Sequence, residues 1–189
     1  MPQAQQWTIE RIIAASRQWV DEVVIKENFC PFAKREQDQG RIRYCVATGN
    51  GLEQAVQFFA DELLRLDEEA QIETTLAIYP TGFEDFDDYL ELLELAQQVL
   101  ESIGYEGRYQ IASFHPDYCF EGAEEDDAAN YTNRSPFPML HLLREAGLNQ
   151  ALANYPDPES IPARNVAHAQ ALGREELQGR IDAILLQKD

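Results

Sequence analysis

Two short stretches of the sequence carry most of the side chains that could do chemistry. The first stretch, SFHPDYCF, sets a histidine, an aspartate and a cysteine at alternate positions: His115, Asp117 and Cys119. A histidine can exchange protons near neutral pH, and a thiolate can attack an electrophile or bind a metal. We therefore predict that His115 and Cys119 are catalytic residues and that Asp117 takes part in ligand binding.

The second stretch, NRSPFPMLHLLRE, has the pattern of a helix start followed by an apolar face. Ser135 suits the N-cap and Pro136 the first helical position, which predicts a helix over 136–145. The guanidinium of Arg134 and the free backbone amides of that helix would form a cradle for an anion. The alternative is structural, with Ser135 as a simple cap and Arg134 paired to a nearby acid. The predicted ligand-binding residues are Asn133, Arg134, Ser135 and His141, together with Asp117.

A third candidate lies in NFCPFA, far along the chain from the other two stretches. Pro31 fits the first position of a short helix, which leaves Cys30 as its N-cap. The helix dipole, with Lys34 and Arg35 nearby, would lower the pKa of the Cys30 thiol. Cys30 is therefore a further catalytic candidate. The alternative is that Cys30 is inert packing, as most free cysteines are.

No pair of histidine and cysteine residues has the spacing of an established metal site. His115 and Cys119 are four residues apart outside a predicted helix, which fixes no geometry, and His141 fits a core histidine as well as a ligand. The phosphate-binding patterns GxGxxG and GxxxxGK[ST] are absent. We therefore assign no metal residue, leave any cofactor unknown and expect no nucleotide site of known type.

Three strand-like segments alternate with amphipathic helices in the middle of the chain. Strands are predicted over 41–47, 73–79 and 108–114, with helices over 52–66 and 85–103 between them. A single helix between two strands makes those strands parallel. The sequence thus predicts an α/β fold: a β-α-β-α-β core with a small, mostly parallel sheet of about three strands. An α+β ferredoxin-like fold is the alternative.

Further helices flank this predicted core. One N-terminal helix is expected over Thr8–Lys26, and two C-terminal helices over 163–172 and 174–187. Ligands of parallel sheets collect outside the carboxyl ends of the strands, which is where His115 would lie. The polar segment 115–135 has no periodicity, and loops of that length are often functional.

Length, charge and cysteine content narrow the classes of function. A chain of 189 residues fits a single domain over 1–189. The 34 acidic and 15 basic residues give a net charge of -19, which repels phosphate backbones and anionic lipids. We therefore expect neither nucleic acid nor membrane as a partner. Three widely spaced cysteines argue against a disulfide framework, and no stretch reaches roughly 18 apolar residues, so we expect the cytoplasm.

Several of these motifs, in one order along the chain, resemble a bacterial family known as domain of unknown function 1415. The motifs are CPFA (30–33), TTLAIYP (74–80), QIASFHPDYCF (110–120) and NRSPFPMLHLLRE (133–145). The resemblance covers nearly the full length of the chain. It implies a single compact domain, and it implies no particular activity, cofactor or catalytic residue.

Two functions of different classes follow from these residues. The first is binding of a small anionic molecule in a pocket between the 113–135 loop and the helix starting at Ser135, with His/Cys enzyme chemistry as an open extension. The second is a non-catalytic interaction or structural role, in which the same motifs only lock the long loop. A site would point Arg134, His115 and Cys30 into a solvent-reachable pocket, whereas a lock would leave their polar atoms paired within the protein.

Overall fold

The computed structural model describes residues 7–187, which form a four-stranded sheet between two layers of helices. The strands are β1 (Ile42–Val46), β2 (Thr74–Ile78), β3 (Tyr109–Phe114) and β4 (Met139–Arg144). The helices are α1 (Ile9–Trp19), α2 (Ala33–Asp38), α3 (Leu52–Glu68), α4 (Phe86–Ser102), α5 (Glu145–Ala153), α6 (Ile161–Leu172) and α7 (Arg174–Leu186). A π-helical turn (Val20–Ile25) continues α1, and 3₁₀ turns cover Ala128–Thr132 and Pro158–Ser160.

The sheet has the strand order β1-β2-β4-β3 and mixes the two strand directions. β2 is parallel to β1 and antiparallel to β4, and β4 is antiparallel to β3. Strands β1, β2 and β3 therefore all run the same way, with β4 reversed between β2 and β3. In the register, His141 of β4 lies between Leu76 of β2 and Ala112 of β3.

The segment predicted as a helix over 136–145 is wrong, because it forms strand β4. As a strand, MLHLLR sends Leu140 and Leu142 to one core and Met139 to the other. A short apolar run buried on both faces is compatible with a helix or a central strand, and here the two flanking strands decide. Ser135 consequently caps no helix.

The insertion of β4 also overturns the predicted sheet. The three predicted strands exist and are separated by helices α3 and α4, so the mixed α/β class is confirmed. However, β3 pairs with β4 instead of a parallel neighbour, and only β1 and β2 form a parallel pair. The ferredoxin-like alternative fails as well, because that fold has the order β-α-β-β-α-β.

The helices flanking the sheet start and stop close to their predicted ends. Thr8 caps α1, and its hydroxyl accepts from the backbone N–H of Arg11 at 3.3 Å. Asp85 caps α4 in the same way, accepting from the N–H of Asp87 at 2.9 Å. Helix α5 was not predicted, and α6 starts at Ile161, two residues before the predicted start at 163.

Each face of the sheet has its own apolar core. Helices α3 and α4 cover the face that presents Ala77, Leu140 and Leu142. Helix α1, the π-helical turn, α6 and α7 cover the face that presents Leu76 and Met139. Among residues 7–187, no helix has the length and apolar character needed to cross a membrane.

Candidate functional site

The imidazole of His115 is held on both sides by the backbone of the protein. Its Nδ1 accepts from the N–H of Asp117 at 3.0 Å, which leaves the ring proton on Nε2, 3.0 Å from the carbonyl oxygen of Phe83. The residue is fully buried, and this burial lowers the pKa of His115, with the Phe83 carbonyl opposing the shift. His115 is therefore a neutral side chain with both nitrogens paired.

Arg134 is bound in the same manner within the long loop. Its Nε donates to the carbonyl oxygen of Tyr118 at 3.1 Å and its Nη2 to that of Glu125 at 2.9 Å. Its Nη1 donates to the hydroxyl of Tyr131 at 3.2 Å, and the guanidinium lies over the Tyr131 ring at 4.7 Å. With 8% exposure, Arg134 has its donors directed at the loop that surrounds it.

Asn130, which the sequence interpretation missed, is the centre of this loop. Its Oδ1 accepts from the N–H of Phe120 at 3.1 Å, and its Nδ2 donates to the carbonyl oxygen of Glu124 at 2.9 Å. Asn130 is fully buried inside the 3₁₀ turn. A buried asparagine with these partners fixes the path of two chain segments at once.

The other predicted site residues of this region also contact the loop itself. The Asn133 side-chain amide donates to the carbonyl oxygen of Ser113 at 3.0 Å, and the Ser135 hydroxyl donates to that of Phe137 at 2.6 Å. The Cys119 thiol points to the carbonyl oxygen of Ala123 at 3.6 Å. Asp117 is exposed at the surface. We call the set of Arg134, His115 and Asn130 with their partners the loop lock.

A cavity of about 550 Å³ lies elsewhere, between the sheet and helices α2 and α5. Its floor is the face of the sheet that carries Ile42, Leu76 and Ala112. Its walls come from the end of α1, the π-helical turn, the loop before α2, and α5. The apolar wall residues include Trp19, Val20, Val24, Phe29, Phe32, Phe114, Leu148, Ala151 and Leu152. A π-helical turn shifts the side-chain directions of a helix, and such turns often occur at functional sites.

His141 of β4 is a polar strand residue in the floor of this cavity, together with Thr74 of β2 and Gln110 of β3. Its Nε2 lies 2.6 Å from Thr74 Oγ1, and the Thr74 hydroxyl is itself 2.6 Å from the carbonyl oxygen of Leu142. Because the carbonyl can only accept, the threonine proton goes to Leu142, and the proton between Thr74 and His141 belongs to Nε2. Nδ1 of His141 therefore carries a lone pair, and it has no hydrogen-bond partner among residues 7–187.

Burial lowers the pKa of His141 to about 4. The ring is surrounded by apolar side chains, with the Phe114 ring centroid 5.9 Å away, and these neighbours offer nothing to stabilise an imidazolium. At neutral pH His141 is thus a fixed hydrogen-bond acceptor that faces the cavity.

Cys30 lies in the wall of the same cavity, but its environment differs from the predicted one. Helix α2 starts at Ala33 with Phe32 as N-cap, so Cys30 precedes the helix instead of capping it. Burial raises the pKa of the Cys30 thiol, and the backbone amides of Phe32 and Ala33 offset only part of that effect. The predicted lowering of this pKa is therefore wrong, and the resting group is a thiol.

The loop that carries Cys30 is anchored to α6. Arg164 Nη2 donates to the carbonyl oxygen of Asn28 at 3.0 Å, and Asn165 Nδ2 donates to that of Phe29 at 2.6 Å. Asn28 has a left-handed backbone with φ of 55°, which turns the chain between the π-helical segment and this wall.

Charged groups gather at the end of the cavity next to α5. Glu36 and Glu73 line it, and Arg41 binds Glu36 at 2.5 Å and approaches Glu73 at 3.8 Å. A side chain at Gly147 of α5 would displace the Glu73 carboxylate, because its Cβ would overlap Oε1 of Glu73. Arg144 also lines the cavity, but its guanidinium donates to the backbone carbonyls that end α3 and to Ile72.

The structure brings together only two of the predicted site residues, Cys30 and His141, in this cavity. The other six lie in or beside the loop lock and do not line the cavity. Thr74 and Glu73 were missed, although an alternating strand pattern for 139–144 would have placed His141 opposite Leu140 and Leu142. In the described part of the chain, no group of three or more histidine, cysteine, aspartate or glutamate side chains is arranged to hold a metal ion.

Comparison with known proteins shows the family and nothing about its chemistry. A family model described as "Protein of unknown function (DUF1415)" matches residues 11–179, so the chain belongs to that family. Searches of curated proteins and of solved structures found no match.

Proposed function

We propose that this protein binds a small, largely apolar molecule in the cavity between the sheet and helices α2 and α5. The observation that carries the proposal is the unpaired Nδ1 of His141 in the floor of a mostly apolar cavity. His141 is half-buried, and a ligand that donates a hydrogen bond to Nδ1 would pair a ring nitrogen that has no partner within the described chain.

The size and lining of the cavity support this function. A volume of about 550 Å³ is in the range of small-molecule sites, which are mostly apolar with a few placed polar groups. Four aromatic rings, those of Trp19, Phe29, Phe32 and Phe114, offer flat apolar contact. Helix α5 buries none of its side chains fully, so Leu148 and Leu152 keep apolar surface available to a ligand.

Binding fits the cavity better than covalent catalysis does. A nucleophilic cysteine needs its thiolate, and burial of Cys30 favours the protonated thiol. A general base works best with a pKa near the working pH, and that of His141 is about 4. The predicted anionic ligand relied on Arg134 and on helix amides after Ser135. Arg134 is engaged by the loop lock, and the helix is a strand.

The loop lock supports a second, structural role for the 113–135 motifs. Arg134 and Asn130 direct their polar atoms at groups of their own loop, and His115 joins that loop to the backbone carbonyl of Phe83. This is the arrangement expected of a structural lock, and it concerns the loop and not the cavity. We also propose a cytoplasmic location, supported by three cysteines that form no disulfide.

A fragment screen with a matched pair of variants tests the binding function. Ala151 and Ala153 are both on α5, and Ala151 lines the cavity whereas Ala153 is exposed. We expect apolar fragments to shift the amide resonances of Ala112, Leu143 and Ala151 in wild-type protein. Ala151→Trp should fill the cavity and weaken binding at least about tenfold, and Ala153→Trp should leave it unchanged.

Two results would overturn the proposal. Fragments that bind both tryptophan variants as tightly as the wild type would bind outside the cavity. Shifts confined to the loop lock, around Tyr118 and Tyr131, would move the site to the location that the sequence suggested. Folding of each variant is checked by its thermal midpoint before titration.

A further inference from the structure

We propose that the ligand of this cavity is a cationic amine: an apolar body that ends in a protonated amino group. This inference rests on the proposed function and names its ligand class. It follows from two acceptors in the lining that have no hydrogen-bond donor within residues 7–187: Nδ1 of His141 and the carboxylate of Glu73.

The first acceptor is Nδ1 of His141. Thr74 fixes the ring proton on Nε2, so Nδ1 can accept a hydrogen bond and cannot donate one. An ammonium group carries three donors and an alcohol carries one, whereas a carboxylate at neutral pH carries none. A carboxylate placed beside this nitrogen would set two lone pairs against each other.

The second acceptor is the carboxylate of Glu73. Its nearest cation is Arg41 Nη1, 3.8 Å from Oε2, and the carboxylate makes no hydrogen bond within residues 7–187. Glu73 directly precedes Thr74, the partner of His141, and the side chains of Glu73 and His141 both line the cavity. Its side chain is 24% exposed, which leaves it open to a ligand.

The two carboxylates at this end differ in how closely they are paired. Glu36 binds Arg41 at 2.5 Å and lies 3.9 Å from Arg35, whereas Glu73 has Arg41, at 3.8 Å, as its one ion-pair partner within the described chain. Arg144 also lines the cavity, and its guanidinium donates to the backbone carbonyls of Ile72 and Glu69. An incoming ammonium would give Glu73 a closer ion pair.

The walls and the whole protein favour a cation as well. Aromatic faces attract ammonium groups, and Phe29, Phe32 and Phe114 all line the cavity. The net charge of -19 raises the local concentration of cations and lowers that of anions around the protein. An apolar body is still needed, because most of the lining cannot hydrogen-bond.

Three probes with one apolar body separate the amine from its alternatives: 4-phenylbutylamine, 4-phenylbutan-1-ol and 4-phenylbutanoate. Calorimetric titration of the full chain at pH 7.5 should give an affinity for the amine at least about tenfold above that for the alcohol. The carboxylate should bind at least about tenfold more weakly than the alcohol. Raising the salt concentration should lower the affinity for the amine and leave the affinity for the alcohol unchanged, because of these two probes only the amine is charged.

Glu73→Gln and Glu91→Gln form a matched pair of variants for the same titrations. Glu91 is exposed on α4, on the opposite face of the sheet, and its substitution changes the net charge equally. In Glu73→Gln, the affinity for the amine should fall to within about threefold of the affinity for the alcohol. Glu91→Gln should keep the amine preference of the wild type. The comparison of the three probes on wild-type protein needs no variant, so it stands if Glu73→Gln fails to fold.

The outcomes separate this inference from the proposed function. Equal affinity for the three probes, or tightest binding of the carboxylate, overturns the amine and leaves the cavity as a binding site. An amine preference that survives in Glu73→Gln but disappears in Glu91→Gln also overturns it. Absence of binding for all three probes overturns both.

Discussion

The pH dependence of stability offers a direct test of the environment assigned to His141. An ordinary histidine titrates near 6.5, and burial lowers the pKa of His141 to about 4. The folded state therefore binds this proton less readily than the unfolded state does. The resulting loss of folding stability is absent above pH 6.5, grows as the pH falls below the pKa of the unfolded state, and reaches its full size below the pKa of the folded state.

The size of the effect follows from the gap between the two pKa values. A difference of about 2.5 pH units, at about 1.4 kcal/mol for each unit, gives a loss of about 3 kcal/mol in the free energy of unfolding between pH 6.5 and pH 4. His141→Gln removes the titrating group and keeps a side chain that can bond Thr74. Urea unfolding of both proteins over pH 4–7 measures the effect, because the other titrating groups cancel in the difference.

We expect the wild type to lose about 3 kcal/mol more than His141→Gln over this range. Ring ¹⁵N chemical shifts should show the neutral Nε2–H form of His141 throughout pH 5–8. A difference below about 1 kcal/mol, or a His141 ring that titrates near 6.5, would refute the burial, and ring ¹⁵N shifts of an Nδ1–H form would refute the tautomer. The floor of the cavity would then be wetter than the structure shows.

Two further predictions concern the loop lock and the cavity wall. Arg134→Met should lower the free energy of unfolding in urea by about 3 kcal/mol, since it removes the hydrogen bonds of the guanidinium to Tyr118, Glu125 and Tyr131. The exposed Arg174→Met should change the free energy of unfolding by less than about 0.5 kcal/mol. Equal effects of the two substitutions would mean that the Arg134 guanidinium makes no such bonds. Cys30 should react with iodoacetamide at pH 8 at least about tenfold more slowly in the folded protein than in urea, because burial raises the pKa of its thiol. Mass spectrometry of the peptide that contains Cys30 measures the rate of this reaction. A faster reaction in the folded state would show an activated thiolate.

The local pattern of the sequence was sufficient to predict the three strands that are bounded by turns or loops. The segments 41–47, 73–79 and 108–114 contain β1, β2 and β3, because turns or loops bound each of them and helices separate them. The pattern failed for Met139–Arg144, where an apolar run of this length suits a buried helix as well as a central strand. Which of the two forms depends on β2 and β3, which are remote in sequence, so no local rule could decide it.

The sequence predicted some residues of the candidate site, but their positions in the structure differ from those that led to the prediction. The sequence predicts Cys30 as a helix cap and His141 as a ligand on a helix, yet both line a cavity that α5 covers. His115 and Arg134 have the chemical types of site residues, yet both bind backbone carbonyl groups of the protein. A sequence shows which residues can hydrogen-bond, but the partner is set by packing.

The loop lock and the cavity are physically connected through Trp19. The indole Nε1 of Trp19 donates to the carbonyl oxygen of Arg134 at 3.1 Å, and its ring meets Phe114 edge-on at 5.1 Å. Both Trp19 and Phe114 form part of the cavity wall, and Phe114 also contacts His141. Because the indole hydrogen bond fixes the ring orientation, the lock sets the shape of that wall. The motifs that look catalytic in the sequence therefore act on the cavity indirectly, by holding the aromatic side chains against which a ligand would pack.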